Sequence, residues 1–397
     1  MSATNGLNAA RKVLDGLAAS EPAEWSNWDV VEIDFDPVDH YAFADVKTPI
    51  FQDDAGLWRF DDAGRPIVQS WEQVQSLISL PTDPSKQPYP VIVYGHGLGD
   101  TKESLSDLDL ATSMADAGFA LMGIDAVCHG PRGPIPSLPP MALLCYFDFF
   151  NPLRFRDNIR QTISDYMWFT RAIEGLRDVD MIPPGGDGIP DFDVDHRYYL
   201  SISMGSIHGG ILAGLEENIE AFAFSAAGAK FTGVAFEGPY LEELLVIARM
   251  IDEQMPELGL EDKLWIYAGL MQNVLDAADP ANFLPHVIDD PLPGLEGRET
   301  QVLQQGFSED YVIGGMSGAY FARAAGWPQF NPYVWDVGVE HADLPSTGSG
   351  FYQYDTEEHF NLWLTTPLGT AVRDQIFHFL RTKYETGTGE IIDPLAR

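Results

Sequence analysis

The stretch YYLSISMGSIHGG, residues 198–210, decides the fold. Residues 198–202 predict a buried strand, and the small and apolar residues from Met204 onwards predict a helix. Ser203 therefore stands at a sharp turn between a strand and a helix. A serine in that position projects its hydroxyl from the end of the sheet, so we predict that Ser203 is a nucleophile.

The pentapeptide around Ser203 departs in one position from the usual Gly-x-Ser-x-Gly pattern. Gly205 fits this pattern, whereas Ser201 stands where glycine is expected and is small enough to replace it. Ser206 does not fit, because Met204 and His208 would occupy the two crowded positions around it. The alternative reading is that Ser203 only caps the following helix.

Strand and helix patterns alternate on both sides of this stretch and predict an α/β fold with a mostly parallel sheet and helices on both faces. Apolar or β-branched runs predict strands at residues 30–35, 74–80, 90–94, 119–124, 221–225, 300–305 and 332–339. Periodic apolar positions predict helices at residues 104–117, 158–174 and 370–384.

Two breaks in this alternation divide the chain. We predict an N-terminal extension with extra strands at residues 1–70 and a first part of the core at 71–236, with a loop insertion at about 131–156. A helical cap or lid follows at 237–298, and the second part of the core occupies 299–397. Insertions at these places are expected to cover a site at the carboxyl ends of the strands.

Five apolar residues of the first insertion favour a hydrophobic pocket for an acyl or aryl group, although packing within the cap explains them equally well. These residues are Leu138, Leu143, Phe147, Phe149 and Phe150.

A glycine-rich loop, YGHGLG at residues 94–99, follows a central strand upstream of Ser203. Glycines at such a place allow main-chain N–H groups to point at a developing negative charge. We predict the N–H groups of Leu98 and Met204 as the donors of an oxyanion hole. His96 is expected to hold the loop by hydrogen bonds and not to act as a base.

A nucleophilic serine needs a base and a carboxylate, which follow it in the order Ser, Asp or Glu, His in this type of fold. Asp310 comes just after a predicted strand and is the favoured acid, with Glu309 as the neighbour to test second. His359 is the favoured base because it precedes the last helix. His341 remains the alternative base.

At this point the sequence resembles a known family. The HGLG loop, IDAVCHG (124–130), FFNPLRFRDNIRQ (149–161), SISMGSIHGG (201–210) and QQGFSEDYVI (304–313) are together similar to bacterial esterases and extracellular lipases of the α/β-hydrolase type. The resemblance covers residues 70–385 approximately, and it rests on the order and spacing of these motifs.

The resemblance implies an α/β-hydrolase fold and hydrolysis of carboxylic esters, with a small-molecule or polymeric ester as substrate. It implies Ser203, Asp310 and His359 as catalytic triad and Leu98 with Met204 as oxyanion hole. The Ser201 departure weakens the nucleophile motif slightly. Two alternatives stay open: an amidase or peptidase with the same triad, and a non-catalytic binding protein, calcium-dependent in one version, on the same fold.

The acidic stretch GDGIPDFDVD, residues 186–195, is similar to calcium-binding loops because carboxylates alternate with other residues next to glycine. Asp187, Asp191 and Asp193 are the candidate ligands. The stretch lacks the complete loop with a terminal Glu, so an acidic turn is the alternative. We expect no organic cofactor.

Composition excludes several functions. The chain has 60 acidic and 23 basic residues and a net charge of −37, which disfavours nucleic acid as a partner. No apolar run reaches the length of a membrane span. Residues 1–16 lack the apolar core of a signal peptide, so no export signal is expected, although the resemblance points to secretion where a leader has been trimmed. Cys128 and Cys145 leave both a disulfide and free thiols open, and the oligomeric state is not predicted.

Overall fold

The computed structural model describes residues 3–35, 37–135, 140–183, 185–239, 245–246, 249 and 257–396. Thirteen strands are defined within these residues. In chain order they are β1 Trp25–Phe35, β2 Val38–Ile50, β3 Ser70–Pro81, β4 Tyr89–Gly95, β5 Ala120–Ile124, β6 Phe192–Ile202, β7 Ala221–Ser225, β8 Gln301–Phe307, β9 Gln329–Phe330, β10 His341–Ala342, β11 Ser346–Thr347, β12 Gly350–Tyr354 and β13 Glu390–Ile391.

The helices of the described ranges lie mainly between these strands, as expected for a parallel sheet. They are α1 Asn5–Ser20, α2 Leu108–Ala117, α3 Pro140–Tyr146, α4 Pro152–Ala172, α5 Met204–Ala213, α6 Phe231–Glu237, α7 Leu260–Leu275, α8 Gly315–Ala325 and α9 Pro367–Thr386. None of them combines the length and apolar character that crossing a membrane requires.

One large sheet organises the described chain, in the order β1-β2-β3-β5-β4-β6-β7-β8-β12-β9-β10. The first three strands pair antiparallel, and β3 also pairs antiparallel with β5. From β5 onwards all neighbours are parallel. The carboxyl ends of β4, β6, β8 and β12 therefore meet at one edge, and the loops that follow them carry the candidate site residues.

Apolar side chains on both faces of the sheet form the core. On one face, α5 packs against β4 and β6, α4 packs against α5 and β2, and α1 packs against α4. On the other face, α2 and α9 cover the sheet. Every residue of β4 and of α5 is buried, because each lies between two layers. Helices on both faces and a mostly parallel sheet confirm the predicted α/β class.

The N-terminal segment differs in part from the prediction. It contributes β1 and β2, but α1 was not predicted. Leu7, Ala10 and Leu14 of α1 are buried at helical spacing, so the signal was present in the sequence. Because β1 and β2 extend the same sheet, the segment is continuous with the core in the described structure.

The strand predicted at residues 332–339 is wrong. The structure has bends there, between the two-residue strands β9 and β10. The N–H groups of Val334 and Trp335 both donate to the side-chain Oε1 of Gln353, at 3.0 Å each. A glutamine side chain thus replaces a neighbouring strand as their partner.

The predicted loop at residues 131–156 is also more ordered than expected, because it contains α3 and the start of α4. Helix α4 begins at Pro152, before the predicted start, since the Asn151 side chain accepts a hydrogen bond from the Arg154 N–H (3.2 Å) and caps the helix. A disulfide joins Cys128 to Cys145 and ties α3 to the loop after β5.

Candidate active site

Ser203 lies on the turn between β6 and α5 and is only 6% exposed. Its backbone angles are φ 56° and ψ −123°, a region that non-glycine residues rarely occupy. Hydrogen bonds from its N–H to the Ser225 carbonyl (3.0 Å) and from the Ile207 N–H to its own carbonyl (3.1 Å) hold this conformation. Strain of this kind is found where a side chain must be presented at a functional site.

Close contact between α5 and β4 explains why glycine is required at position 205. A Cβ atom added to Gly205 would lie 2.1 Å from the carbonyl oxygen of Gly95. Ser201 is tolerated at the other position because the residue opposite it, Gly95, has no side chain. The Ser201 hydroxyl lies 3.1 Å from the Ser206 hydroxyl, which donates to the Ser225 carbonyl.

The chain has the α/β-hydrolase fold. The sheet order, the antiparallel β3 beside a parallel block, and a serine at positive φ between a central strand and its helix together define this fold. They confirm the fold that the sequence motifs implied.

The loop after β4 lies next to Ser203. A Cβ atom at Gly97 would be 3.6 Å from the Ser203 Cβ. Within the described residues, neither the Leu98 N–H nor the Met204 N–H has a hydrogen-bond acceptor, and both residues line a cavity together with Ser203. The Met204 N–H also lies at the N-terminus of α5, where the helix dipole favours negative charge. This geometry is suited to binding an oxyanion.

His96 holds this loop, as its position in the sequence indicated. Its Nε2 accepts a hydrogen bond from the Ala126 N–H (3.0 Å), so the ring proton is on Nδ1 and is donated to the Gly97 carbonyl (2.8 Å). Both ring nitrogens are therefore occupied, and His96 is not available as a base.

His359 and Asp310 form a buried pair. The His359 Nδ1 lies 2.8 Å and 2.9 Å from the two carboxylate oxygens of Asp310. Asp310 follows β8 and also accepts hydrogen bonds from the Val312 and Ile313 N–H groups, which fix its orientation. The Nε2 of His359 is buried and has no hydrogen-bond partner in the described structure. His359 lines the same cleft as Ser203.

His341 lies elsewhere. It is on β10 near the edge of the sheet, with its ring against Tyr333 and its Nε2 3.3 Å from Asp336. It lines neither of the two cavities that contain Ser203. Glu309, the second choice for the acid, is exposed. The structure thus pairs His359 with Asp310, places His359 and Ser203 in the lining of one cleft, and leaves out both alternatives.

Ser203 lies where two cavities meet. One, the open cleft, has a volume of about 640 Å³ and is lined by the residues Gly97, Leu98, Gly99, Asp100, Glu103, Ser104, Ser106, Asp107, Ser203, Val312, His359, Phe360 and Trp363. Its polar rim includes Asp100, a carboxyl group whose pKa is raised by burial.

The other, the apolar cavity, has a volume of about 40 Å³ and is lined mainly by aromatic and aliphatic side chains. Of the residues proposed from sequence, Phe147 and Phe149 line it. Leu143 packs against the core, Phe150 is 68% exposed, and Leu138 lies outside the described residues.

Sequence reasoning missed the other side chains of the apolar cavity. Phe155 comes from α4, Phe231 and Val234 come from α6, and Met271 comes from α7. No local motif marks them, since each looks like an ordinary core residue of its helix.

The three candidate calcium ligands bind protein donors. Asp187 accepts from the Ile189 N–H, Asp193 from the Asp195 N–H, and Asp191 from the Gln87 side chain and the Met181 N–H. Burial raises the pKa of the Asp191 carboxyl to about 6. Among the described residues, no three or more His, Cys, Asp or Glu side chains form a group that could hold a metal ion.

Comparisons with known proteins find similar structures, but the sequence matches no protein-family model and no curated protein. Solved structures with a similar fold include an acetyl xylan esterase from Paenibacillus sp. R4, with 15% identity, a TM-score of 0.49, and coverage of 94% of this chain and 93% of that one.

Two further examples are an esterase from an Arctic intertidal metagenomic library and the acylaminoacyl peptidase of Pyrococcus horikoshii. The esterase has 12% identity and a TM-score of 0.43 over 88% of this chain and 98% of that one. The peptidase has 12% identity and a TM-score of 0.46 over 89% of this chain and 42% of that one. Similarity at this level concerns the fold, and the activities named are those of the other proteins.

Proposed function

We propose that this protein is a serine hydrolase that cleaves carboxylic esters through an acyl-enzyme on Ser203. One observation carries the proposal: Ser203, at a strained turn, shares a cleft with His359, whose Nε2 has no hydrogen-bond partner among the described residues and whose Nδ1 is bound to a buried carboxylate. Nucleophile, acid and base, which are Ser203, Asp310 and His359, also follow one another along the chain in the order typical of this fold.

The first half of the reaction forms the acyl-enzyme. The free Nε2 of His359 takes the proton of the Ser203 hydroxyl while the Ser203 Oγ attacks the ester carbonyl carbon. The carbonyl oxygen becomes an oxyanion and accepts hydrogen bonds from the Leu98 and Met204 N–H groups. Asp310 holds the His359 ring in the required tautomer and stabilises its positive charge.

The second half releases the products. Protonated His359 gives its proton to the oxygen of the leaving alcohol, and the bond between that oxygen and the acyl carbon breaks. A water molecule then attacks the acyl-enzyme, with His359 again accepting the proton. His359 gives this proton to the Ser203 Oγ as the bond between Oγ and the acyl carbon breaks, which regenerates Ser203 and releases the carboxylic acid.

Covalent labelling with a serine-directed fluorophosphonate tests the nucleophile. Wild type and Ser206→Ala are expected to be labelled, whereas Ser203→Ala is not. Ser206 is a matched control because it is a buried serine three positions further along the chain, in the first turn of α5, and its hydroxyl donates to the Ser225 carbonyl. Loss of label in Ser206→Ala instead would contradict the assignment.

Hydrolysis of p-nitrophenyl esters gives the second readout. Turnover is expected to fall by about 10⁴-fold or more in Ser203→Ala. Equal rates in wild type and this variant would show that the proposal is wrong. Matched p-nitroanilides distinguish an esterase from an amidase, since both would be labelled at Ser203.

A further inference from the structure

We infer that the apolar cavity binds the acyl group of the substrate and restricts it to a short chain of about four carbons or fewer. The inference rests on the proposed function and adds to it the substrate class. It follows from which side of Ser203 each cavity lies on, how large the apolar cavity is, and how firmly its aromatic residues are held.

The position of His359 decides which cavity takes which half of the ester. The leaving oxygen must receive its proton from His359 Nε2, so the alcohol has to lie on the side of Ser203 where this atom is. His359 lines the open cleft and does not line the apolar cavity. The alcohol therefore leaves through the open cleft, and the acyl chain points into the apolar cavity.

The size of the apolar cavity sets the acyl length. Its volume is about 40 Å³, against about 640 Å³ for the open cleft. An apolar cavity of about 150 Å³ binds benzene, so the apolar cavity is suited to a group clearly smaller than a six-carbon ring. An acetyl or butyryl chain fits this space, whereas an octanoyl chain exceeds it.

Four aromatic residues, Phe147, Phe149, Phe155 and Phe231, line the apolar cavity; we call them the aromatic wall. The Phe155 ring lies 4.7 Å from the Phe147 ring and 5.4 Å from the Phe231 ring, measured between centroids. Phe149 contacts both Phe147 and Phe155 at 6.1 Å and 5.9 Å. Contacts this dense resist the outward movement of any one ring.

Polar contacts and the disulfide anchor the segment that carries Phe147. The Asn158 side chain donates to the carbonyls of Cys145 (3.0 Å) and Tyr146 (3.1 Å). The Tyr146 hydroxyl lies 2.6 Å from the His208 Nε2 on α5, and Cys145 is bonded to Cys128. Because these contacts hold the segment on several sides, Phe147 has a fixed position, and the cavity cannot widen on this side without breaking them.

Chain-length profiles test the inference. With p-nitrophenyl acetate, butyrate, octanoate and decanoate, wild type is expected to show kcat/KM at least about tenfold higher for butyrate than for octanoate. In Phe147→Leu and Phe231→Leu, which shorten the wall from two different elements, the octanoate-to-butyrate ratio is expected to rise about tenfold.

Phe119→Leu is the matched control. Phe119 is 1% exposed and also packs against a tyrosine ring, but it lies in the core on the other face of the sheet. Its profile is expected to match wild type. Rates are normalised to the fraction of Ser203 that reacts with fluorophosphonate, which corrects for misfolded protein.

The outcomes separate the two proposals. If wild type is labelled at Ser203 but cleaves octanoate as well as butyrate, the inference about acyl length is wrong and the proposed function stands. An unchanged ratio in both wall variants, with labelling intact, also overturns it. Absence of labelling and of turnover with every ester would overturn the proposed function itself.

Discussion

The Nδ1 atom of His359 lies 2.8 Å from Oδ2 of Asp310, and at most 5% of either residue is exposed. A carboxylate in this position fixes the tautomer that leaves Nε2 free to accept a proton. In Asp310→Asn an amide group can occupy the same space, but it no longer enforces this tautomer. We expect kcat for esters to fall on the order of 10⁴-fold, with the fold intact by circular dichroism.

Glu309→Gln provides the control for Asp310→Asn. It removes a neighbouring carboxylate that is exposed, so kcat is expected to stay within about twofold of wild type. A large loss in Glu309→Gln together with a small one in Asp310→Asn would transfer the role of the acid to Glu309.

The variant Gly205→Ala tests whether turnover depends on the close approach of α5 to β4. The substitution places a methyl group 2.1 Å from the Gly95 carbonyl oxygen, so α5 or the loop after β4 must move. Because both carry proposed oxyanion donors, we expect kcat to fall by at least about 10²-fold. We also expect the melting temperature to decrease. Ester turnover and differential scanning calorimetry measure the two effects.

Gly269→Ala is the matched control for Gly205→Ala. Gly269 lies within α7 and is exposed, and a Cβ atom added there meets nothing within 4 Å. Alanine is the better helix former, so stability is expected to rise by up to about 1 kcal/mol without a change in turnover. Equal behaviour of the two variants would mean that the contact with Gly95 is unimportant.

Local patterns were sufficient to predict most of the sheet. The strands around Ile92, Leu121 and Phe222 are short buried runs bounded by turn residues, and the structure has strands at all three places. The same holds for the turn at Ser203, where strand, serine and helix are contiguous in sequence. The fit of serine at position 201 could not be predicted from the local sequence. It depends on the missing side chain of Gly95, which lies opposite on another strand.

Contacts between distant segments could not be predicted in the same way. His341 and His359 look alike in sequence, and only the path of β12 places one beside Asp310 and the other beside Asp336. Of the residues that line the apolar cavity, the sequence predicts only Phe147 and Phe149 as pocket residues, since most of the others come from separate helices.

Asp191 is expected to make stability depend on pH. Burial raises the pKa of its carboxyl to about 6, above the value of about 4 in an unfolded chain. The folded state therefore binds the proton more tightly, and the stability gained from this group is complete below about pH 4 and lost as the pH rises through 6. In Asp191→Asn this loss is absent, so the variant should gain stability relative to wild type between pH 4 and 7.

Urea unfolding at several pH values measures the Asp191 effect, with Asp187→Asn as a control that removes an exposed carboxylate from the same loop. A constant difference between Asp191→Asn and wild type at every pH would contradict the prediction. The same samples test the calcium prediction, because a calcium site would make added Ca²⁺ stabilise wild type but not Asp191→Asn.

The charge of the open cleft is expected to select among leaving alcohols. Asp100, Glu103 and Asp107 line it, and among the described lining residues none is Lys or Arg. The nearby Lys102 is buried and paired with Asp125 and Glu103, each at 2.8 Å, so its single positive charge offsets one of these two carboxylates and the carboxylates stay in excess. A negative cleft raises the local concentration of cations and repels anions.

Two acetates of nearly identical shape measure this selection: 3-(trimethylammonio)phenyl acetate, which is cationic, and 3-tert-butylphenyl acetate, which is neutral. We expect kcat/KM to be about fivefold or more higher for the cationic ester at low salt, and the difference to shrink as salt screens the charges.

Asp107→Asn should reduce the preference for the cationic ester while keeping the cap of α2, since Asn caps helices as well as Asp does. Asp116→Asn removes a charge from the exposed C-terminal part of the same helix and should leave the preference unchanged. Equal rates for both esters at low salt would show that the cleft carboxylates do not reach the leaving group.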